Sequence, residues 1–452
     1  MSRRSIVFYL TLAALIAMCA LVPPEMQDRA ALMAGGLLAF ALVNWMLETV
    51  PIAVSSLAII VLVPFAGLMT FSEAVAGSFG NSIFGFFLGV LLLSSAFRET
   101  NLGRMIARGI FRIFGRRPRS VVLGVMITGA ALAMWITEVA AAAVVFPIAM
   151  SIWEKARGRA DDAALGKAIM LGVAWGCAFG GIATPIATGA NLIAVDYLRS
   201  MCGITISFGY WMSIGVPICL SLLILGWRIL TWPLSDRTPI ETDDAPIECG
   251  RREKALALIF GAAILLWIAG ERLGLNSYHV ALLAAVALFL PGVDVVEWKR
   301  AIHSISWDSI MLIACGVLLG DMLYKTGVAQ RLAGALFMPS LLGSGPFLRG
   351  VVIVLMVSAL KILFSSNTVS GIVLVPIMIS LALANGLPPW GLVAPCIFTS
   401  ALSLIVISSS PVNVIPYASR AFSPKDMARY GLIMTLYAAI VIGFWMMAFG
   451  VN

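Results

Sequence analysis

The residues best suited to bind a solute form a short polar group inside a long apolar run. Ser366-Asn367-Thr368 interrupts a stretch that begins at Lys361, resumes as apolar sequence and reaches Pro376. Non-helical backbone at membrane depth persists only where it is buried in protein or lines a wet cavity. The triplet therefore predicts a re-entrant helical hairpin whose tip contacts a solute.

A second polar group occupies a matching place in the first half of the chain. Thr137-Glu138-Val139 follows one apolar run and precedes another that reaches Pro147, which lies 229 residues before Pro376. An ionisable residue inside a membrane is costly, and it is a functional candidate by default. Glu138 is thus the first residue to consider for coupling or binding.

Two further stretches combine glycine, proline, hydroxyl and amide residues in an apolar setting. The first covers residues 180–191 and ends at Asn191, and the second covers residues 409–413 and ends at Asn413, an offset of 222. This composition predicts helices that are unwound within the membrane, where free carbonyls and hydroxyls can coordinate a cation.

These groups lie in a chain whose amino-acid composition is typical of a membrane protein. Of its 452 residues 61% are hydrophobic and 12% are charged, and the mean hydropathy is +1.01. This composition excludes an ordinary soluble domain and indicates an all-α polytopic membrane protein. Apolar runs of roughly 17–25 residues recur along the chain, as a bilayer requires of spanning helices.

The net charge of +8 comes mainly from lysines and arginines in loops. Basic loops stay on the cytoplasmic side, so Arg3 and Arg4 predict a cytoplasmic N-terminus in an inner-membrane protein. The first apolar run, Ser5–Val22, is predicted to be a retained helix and not a signal peptide, because it is long enough to span and lacks a small-residue cleavage site. Without a clustered basic face, no nucleic-acid partner is expected.

One basic segment has a different pattern. Leu102–Phe114 carries Arg104, Arg108 and Arg112 at intervals of four residues. That spacing places the three cations on one helical face, which predicts an interfacial helix in contact with lipid headgroups.

The chain divides into two halves that repeat the same order of features. Residues 1–232 form the first half, the polar segment 233–253 is a linker, and residues 254–452 form the second half. Paired broken helices in such repeats are typical of secondary transporters. The second half is inverted if each half crosses the membrane an odd number of times, as we expect. The paired features are hairpins around 125–150 and 355–380 and unwound loops at 180–193 and 407–415.

Other chemistries have little support. Seven cysteines are scattered without a CxxC pair, and the two histidines, His279 and His303, lie near loops. We therefore expect no metal cluster, disulfide framework or cofactor. The sequence also lacks the HExxH and GxSxG motifs of a membrane enzyme.

The motifs together resemble the divalent anion/sodium symporter family, the bacterial relatives of the mammalian sodium-coupled carboxylate and sulfate transporters. The most specific match is Ser366-Asn367-Thr368 with Pro376, which resembles the family's second hairpin. Weaker matches extend the resemblance over most of the chain; they are Asn44-Trp45 to Pro51, Ile305-Ser306-Trp307-Asp308, Gly316-Val317-Leu318-Leu319-Gly320, and the loops at Asn191 and Asn413.

The resemblance implies an inverted-repeat fold with two re-entrant hairpins, an elevator-type transport domain and a homodimer. Both hairpin tips and both loops would enclose one small anion, with sodium between each tip and its loop. The implied substrate-binding residues are Thr137, Glu138, Val139, Thr188, Asn191, Ser366, Asn367, Thr368, Ser410, Pro411 and Asn413. The implied cation-binding residues are Glu138, Gly181, Thr184, Ser365, Asn367 and Ser408.

The chain departs from the family pattern at Glu138, where the family has an asparagine. Three hypotheses are open for an acid beside a dianion. Glu138 could stay protonated, donate to the anion and carry a coupled proton; it could hold a cation more tightly than an amide does; or a basic residue, for which Lys361 is a candidate, could pair with it. A buried structural glutamate without a coupling role is the remaining alternative.

The leading hypothesis for function is a secondary active transporter of small divalent anions. The resemblance implies di- or tricarboxylates such as succinate or citrate, or sulfate, with Na+ or H+ as the coupling ion or with exchange. The alternative within transport is an antiporter or exporter of another solute from the wider ion-transporter superfamily. A membrane enzyme is a distant alternative.

Overall fold

The computed structural model covers most of the chain. It describes residues 3–114, 116–158, 161–235, 239–240, 248–270, 274–336 and 344–450. Every regular element in these ranges is a helix. Residues 236–238 and 241–247 of the predicted linker lie outside the described residues.

The expected all-α, multi-pass membrane architecture is confirmed. Among the described residues, eight helices are long and apolar enough to cross a membrane. Their burial within the chain differs widely. The first, Arg3–Leu21, has 6% of its apolar window buried, whereas Asp162–Ala183 has 94% buried. The first helix thus lies at the periphery of the molecule, and Asp162–Ala183 forms its centre.

Eleven helices precede residue 232 in the described part of the chain. They are α1 (Arg3–Leu21), α2 (Arg29–Leu47), α3 (Ile52–Phe65), α4 (Phe71–Ser78), α5 (Ser82–Glu99), α6 (Leu102–Phe114), α7 (Pro118–Ala133), α8 (Glu138–Lys155), α9 (Asp162–Ala183), α10 (Gly189–Cys202) and α11 (Phe208–Thr231).

Ten helices follow in the described part of the second half. They are α12 (Arg251–Ala269), α13 (Ser277–Ala287), α14 (Trp298–Ser304), α15 (Trp307–Lys325), α16 (Val328–Leu336), α17 (Pro346–Lys361), α18 (Asn367–Ala384), α19 (Pro389–Ser400), α20 (Pro411–Tyr417) and α21 (Pro424–Ala448), with a short 3₁₀ turn, Ile407–Ser409, before α20.

With α1 set aside, these helices form two series of ten in matching order, α2–α11 and α12–α21. The two series pack on each other reciprocally. Helix α5 packs on α13 while α15 packs on α3, and α10 packs on α18 while α20 packs on α8. Each hairpin therefore contacts the broken helix of the other half, which places the polar groups of both halves in one region. The domain boundaries and the inversion stay predictions.

The amphipathic segment forms a helix, α6, with the same bounds as the predicted one, Leu102–Phe114. Gly103 and Ala107 lie on its buried face, and Arg104 and Arg112 are exposed. The helix forms there because the apolar period buries one face while the arginines stay at the polar surface.

Both hairpins have the same local construction. Helix α7 meets α8 at the turn 134–137, and α17 meets α18 at the turn 362–366. In each hairpin the second helix begins with the residue that carries the polar amide or acid, Glu138 in the first and Asn367 in the second. The hairpin turns therefore bring these two side chains to the tips.

The bounds of both unwound segments differ from the sequence-based expectation. The second break covers residues 401–410, and residues 411–415, predicted as unwound, belong to α20. In the first segment the break covers only residues 184–188, because residues 189–193 belong to α10 and residues 180–183 continue α9. The reason is helix packing: a Cβ at Gly176 or Gly180 would collide with the backbone of α7 at Met126 and Ala130. These glycines allow the two helix backbones to approach closely, as small residues do in membranes.

Candidate functional site

The first hairpin tip presents an acid at the start of a helix. Thr137 is the N-cap of α8, and its Oγ1 accepts a hydrogen bond from the Ala140 amide at 3.4 Å. Glu138 follows as the first helical residue and is 7% exposed. The positive end of the helix dipole favours a carboxylate at this position.

The second hairpin tip presents an amide and a lysine. Asn367, the first residue of α18, is 4% exposed, and Lys361, the last residue of α17, is 2% exposed. Both side chains are therefore buried at the tip of a hairpin within a predominantly apolar protein. Polar groups in such a place need partners, because an unmade hydrogen bond there is costly.

The Asn367 amide joins the two tips. Its Nδ2 donates to Oε1 of Glu138 and, at 3.5 Å, to the carbonyl of Ala401. Its Oδ1 accepts from Nζ of Lys361 at 2.5 Å and from Oγ of Ser403 at 2.9 Å. The amide is thus oriented with its donor toward the acid and its acceptor toward the ammonium, as both charges require.

Lys361 has a second acceptor in the opposite loop. Its Nζ donates to the backbone carbonyl of Ser400, at the end of α19 where the helix stops. Helix ends leave carbonyls without intrahelical partners. The broken helix therefore supplies a free carbonyl at the point where the lysine head group needs an acceptor.

The other carboxylate oxygen of Glu138 has no such partner. Oε2 is buried and has no hydrogen-bond partner among the described residues. It lies beside Gly181, where a Cβ would come within 3.0 Å of Oε2 and 3.2 Å of Cγ2 of Thr188. A side chain at this position would therefore take up part of the space in front of the acid, which glycine leaves open.

The two unwound loops repeat one hydrogen-bond pattern. Nδ2 of Asn191 donates to the carbonyls of Gly181 and Thr184 at 2.8 and 2.9 Å. Nδ2 of Asn413 donates to the carbonyls of Ser403 and Val406 at 2.7 and 3.3 Å. In both loops the acceptors lie ten and seven residues before the asparagine. Each asparagine thus supplies the donor that one carbonyl at the break otherwise lacks among the described residues, that of Gly181 or of Ser403, and it holds a second turn carbonyl beside it.

Asn191 also retains an unused acceptor. Its Oδ1 is buried without a hydrogen-bond partner in the described part of the chain. Because its Nδ2 is bound to the Gly181 carbonyl, Asn191 and Glu138 both lie against the same glycine. Two buried oxygens without donors are thus found around Gly181.

The hairpin tips and the loop after α19 form one polar cluster, which consists of Glu138, Lys361, Asn367, Ser400, Ala401 and Ser403. The remaining predicted site residues of the first half lie around this cluster and have different roles. Thr184 donates from Oγ1 to the carbonyl of Met134, in the turn of the first hairpin. Thr188 is the N-cap of α10, and its Oγ1 accepts from the Asn191 amide at 3.2 Å. Val139 is 36% exposed and points away from the buried cluster.

The remaining predicted site residues of the second half are more scattered. Thr368 packs against Gly189, where a Cβ would lie 2.7 Å from its Oγ1. Ser410 caps α20 by accepting from the Val412 amide at 3.4 Å, and Ser366 is the N-cap of α18 without a side-chain cap bond. Pro411 and Ser408 are exposed. Ser365 donates to the carbonyl of Trp45 in α2 at 3.4 Å, so it contacts another helix and not the cluster.

Three members of the cluster were not among the predicted site residues. They are Ser400, Ala401 and Ser403, and Lys361 was considered only as a partner for Glu138. The sequence feature that could have pointed to this part of the site was Lys361 itself, since an ionisable residue in a membrane-spanning run is a functional candidate. The acceptors could not be assigned from the sequence because Ser400 lies 39 residues from Lys361.

The arrangement can bind an anion and a cation next to each other. Three helices, α8, α10 and α18, begin around the cluster, and helix N-termini favour anions. Carboxylate and carbonyl oxygens are the ligands that hard cations prefer. Both kinds of group meet at the hairpin tips.

Comparison with solved structures supports a transporter fold. The Alcanivorax borkumensis YdaH transporter matches with a TM-score of 0.58 at 17% identity, covering 83% of this chain and 87% of that one. Neisseria gonorrhoeae MtrF matches with a TM-score of 0.57 at 13% identity, covering 98% of this chain and 94% of that one. At these identities the likeness concerns the fold.

Sequence comparison is more specific. The sodium-dependent dicarboxylate transporter SdcS of Staphylococcus aureus is 28% identical over 431 residues, covering 88% of this chain and 82% of the relative. The family model described as the sodium:sulfate symporter transmembrane region matches residues 3–451. Since that match runs through nearly the whole sequence, this chain belongs to the sodium:sulfate symporter family, whose members are membrane transporters and not enzymes.

Proposed function

We propose that this protein is a secondary active transporter of small divalent anions. The expected solutes are di- or tricarboxylates such as succinate or citrate, or sulfate, and the driving ion is sodium or a proton, or transport is by exchange. The dicarboxylate specificity of SdcS, which shares 28% identity, supports the carboxylate substrates. Family membership supports the sulfate alternative.

The observation that carries the proposal is the contact between the hairpin tips. Asn367 of one half donates to Glu138 of the other, and both are buried in an all-helical membrane protein. Buried polar and ionisable residues in a membrane protein are costly, and they commonly mark substrate sites or ion pathways. The position of this contact between the two halves suits a binding site that both halves close around a solute.

The donors for an anion are found at the same place. The N-termini of α8 and α18 lie at the two tips, and that of α10 packs against Thr368. Backbone amides at helix N-termini bind carboxylate and sulfate without a further charge. Lys361 adds a cation within the cluster, which offsets part of the charge of a dianion.

The coupled cation is proposed to bind at Glu138. Oε2 of Glu138 and Oδ1 of Asn191 are buried acceptors without donors among the described residues, and both side chains contact Gly181. A hydrogen bond or a cation is needed to compensate such oxygens. Sodium or a proton at Oε2 would also remove the repulsion between Glu138 and an anionic substrate.

We further propose an elevator movement, an inverted arrangement of the two halves and a homodimer. The reciprocal packing of the two helix series supports the repeat. The exposed apolar face of α1 and the buried position of α9 suit a peripheral helix around a central transport unit.

Purified protein in liposomes tests the proposal. We expect counterflow of labelled succinate, citrate or sulfate, compared with empty liposomes and with liposomes that contain the Asn367→Ala variant. The sodium gradient, the proton gradient and internal unlabelled anion are varied separately. If no labelled anion moves under any of these conditions, the proposal is wrong.

A further inference from the structure

Lys361 is the buried cation of the site, and its surroundings are unusual for a lysine. It is 2% exposed at the end of α17, in the middle of an apolar hairpin. A buried ammonium is costly unless its protons are accepted by nearby oxygens. The arrangement of those oxygens therefore indicates what the lysine does.

Two oxygens of the kind that coordinate a small monovalent cation contact Lys361. Its Nζ donates to Oδ1 of Asn367 at 2.5 Å and to the backbone carbonyl of Ser400. Oγ of Ser403 donates to the same Oδ1 and so holds the amide in place. Amide and carbonyl oxygens are ligands of hard metal cations, and here they accept from an ammonium.

The first half has no cation of its own at the matching place. By the offset of 229, Lys361 corresponds to Leu132, a buried apolar residue, and Asn367 corresponds to Glu138. By the offset of 222, Ser403 corresponds to Gly181. The second half thus combines an amide with a tethered cation. The first half combines a carboxylate with an amide, and one oxygen of each, Oε2 of Glu138 and Oδ1 of Asn191, has no hydrogen-bond partner among the described residues.

We propose that the Lys361 ammonium is a resident cation that takes the place of a free sodium ion in the second half of the site. Building on the proposed transport function, only the first half then exchanges a cation with the solution. The charge on Lys361 moves with the binding site in both loaded and empty states. It helps to bind a dianion without being transported itself.

The key variant is Lys361→Ala. Removing the side chain frees Oδ1 of Asn367 and the Ser400 carbonyl, which gives sodium a site in the second half. Lys325→Ala is the matched control, because Lys325 is 70% exposed and pairs with Asp321 at the end of α15. Both are compared with the unmodified protein in sodium and in choline.

Two measurements are made on each protein. The first is thermal unfolding of the purified protein as a function of sodium, which requires no transport. We expect sodium to raise the midpoint of Lys361→Ala more than that of the unmodified protein or of Lys325→Ala. The second is uptake, whose sodium dependence should become steeper in Lys361→Ala, with lost activity partly restored at high sodium.

Equal sodium effects on the unmodified protein and on Lys361→Ala would overturn the proposal. If Lys361→Ala does not fold, Lys361→Ser replaces it, since the serine side chain is too short to reach Oδ1 of Asn367 and the Ser400 carbonyl and leaves both free for sodium; the same larger effect of sodium on the midpoint is expected. A sigmoidal sodium dependence of uptake in the unmodified protein would also overturn the proposal, because it requires two free sodium ions.

The outcomes distinguish a failure of this inference from a failure of the proposed transport function. If the unmodified protein moves no divalent anion, the transport proposal fails, while the sodium effect on unfolding still tests Lys361. If anions move and the sodium response is the same in all three proteins, only the resident-cation inference fails.

Discussion

Asn367 donates a hydrogen bond from Nδ2 to Oε1 of Glu138, its own counterpart in the other half of the chain. The two residues are separated by 229 positions, the same offset that relates Pro147 to Pro376. Equivalent residues of two repeats can touch only where the repeats meet. The hydrogen bond therefore marks the junction of the two half-sites, and it joins the residue that follows the family pattern to the residue that departs from it.

Glu138→Gln tests the role of the acid. The glutamine carbonyl can still accept from Asn367, so the contact between the tips is kept while the negative charge is lost. We expect the affinity for the coupled cation to fall by at least about tenfold, because a hydrogen bond or ligand contact to a charged group contributes roughly 1.5–3 kcal/mol. Uptake is measured across a pH series, with and without sodium.

The pattern of loss identifies the ion. If Glu138 carries the proton, the pH dependence of uptake disappears in Glu138→Gln, and if it holds sodium, the sodium dependence weakens. Glu73→Gln is the control, since Glu73 caps α4 in an exposed capping box that a glutamine can also form. Retention of both dependences in Glu138→Gln would show that the acid is structural.

Gly181→Ala tests the space in front of Oε2. The new Cβ would lie 3.0 Å from Oε2 of Glu138, so either the acid moves or a cation loses its room. We expect weaker sodium or proton coupling with a modest loss of thermal stability, about 1–3 kcal/mol, as for other overpacked sites. Cation-dependent uptake and thermal unfolding are measured together.

The control for Gly181→Ala is Gly209→Ala in α11. No atom lies within 4 Å of a Cβ at Gly209, so the substitution meets open space. Its coupling and stability should match those of the unmodified protein or improve slightly, since alanine favours a helix. If Gly181→Ala couples as well as Gly209→Ala, no cation occupies the space beside Glu138.

Asn191→Ala and Asn413→Ala test the two loops. Each substitution removes two hydrogen bonds, one of them to a carbonyl that has no other donor among the described residues, that of Gly181 or of Ser403. We expect a loss of about 1–3 kcal/mol of unfolding free energy in each variant, which is the cost of one buried carbonyl left without a donor. Thermal unfolding in detergent reports the change.

Asn385→Ala provides the comparison for these loop variants. Asn385 is exposed at the end of α18 and donates to one carbonyl, that of Leu381, at 2.8 Å. Asn385→Ala should lower the free energy of unfolding by well under half as much as Asn191→Ala or Asn413→Ala does. Equal destabilisation by Asn385→Ala and Asn191→Ala would mean that the loop asparagines do not hold the helix breaks in place.

The interfacial position that the arginine spacing predicts for helix α6 implies a dependence on anionic lipid. Arg104 and Arg112 are exposed on this helix, and a basic residue near a negatively charged membrane contributes about 1 kcal/mol. We expect Arg104→Gln with Arg112→Gln to reduce the stabilisation of the protein by anionic lipid, measured by thermal unfolding in mixed micelles. Lys325→Gln, which removes an exposed cation from a different helix, is the control, and an unchanged lipid response in the double variant would exclude this contact.

Much of the architecture was predictable from local sequence, and the helix α6 shows why. Its bounds follow from an apolar period and three arginines that are close in the chain. The hairpins were likewise marked by polar residues that cap new helices after an apolar run. The prediction was wrong at residues 180–183, where Gly180 looks like a helix breaker but continues α9 because it packs against α7, and at residues 411–415, which are helical.

For the site itself, one part followed from the local sequence and the other part only from the tertiary structure. Local sequence determined that Glu138 and Asn367 stand at hairpin tips, because capping and hydrophobic period act over a few residues. Only the tertiary structure decided that Asn367 lies between Glu138 and Lys361, that Ser400 accepts from the lysine, and that Oε2 is left without a donor. Such pairings depend on contacts between residues far apart in the chain, and only the packing of one half against the other brings them together.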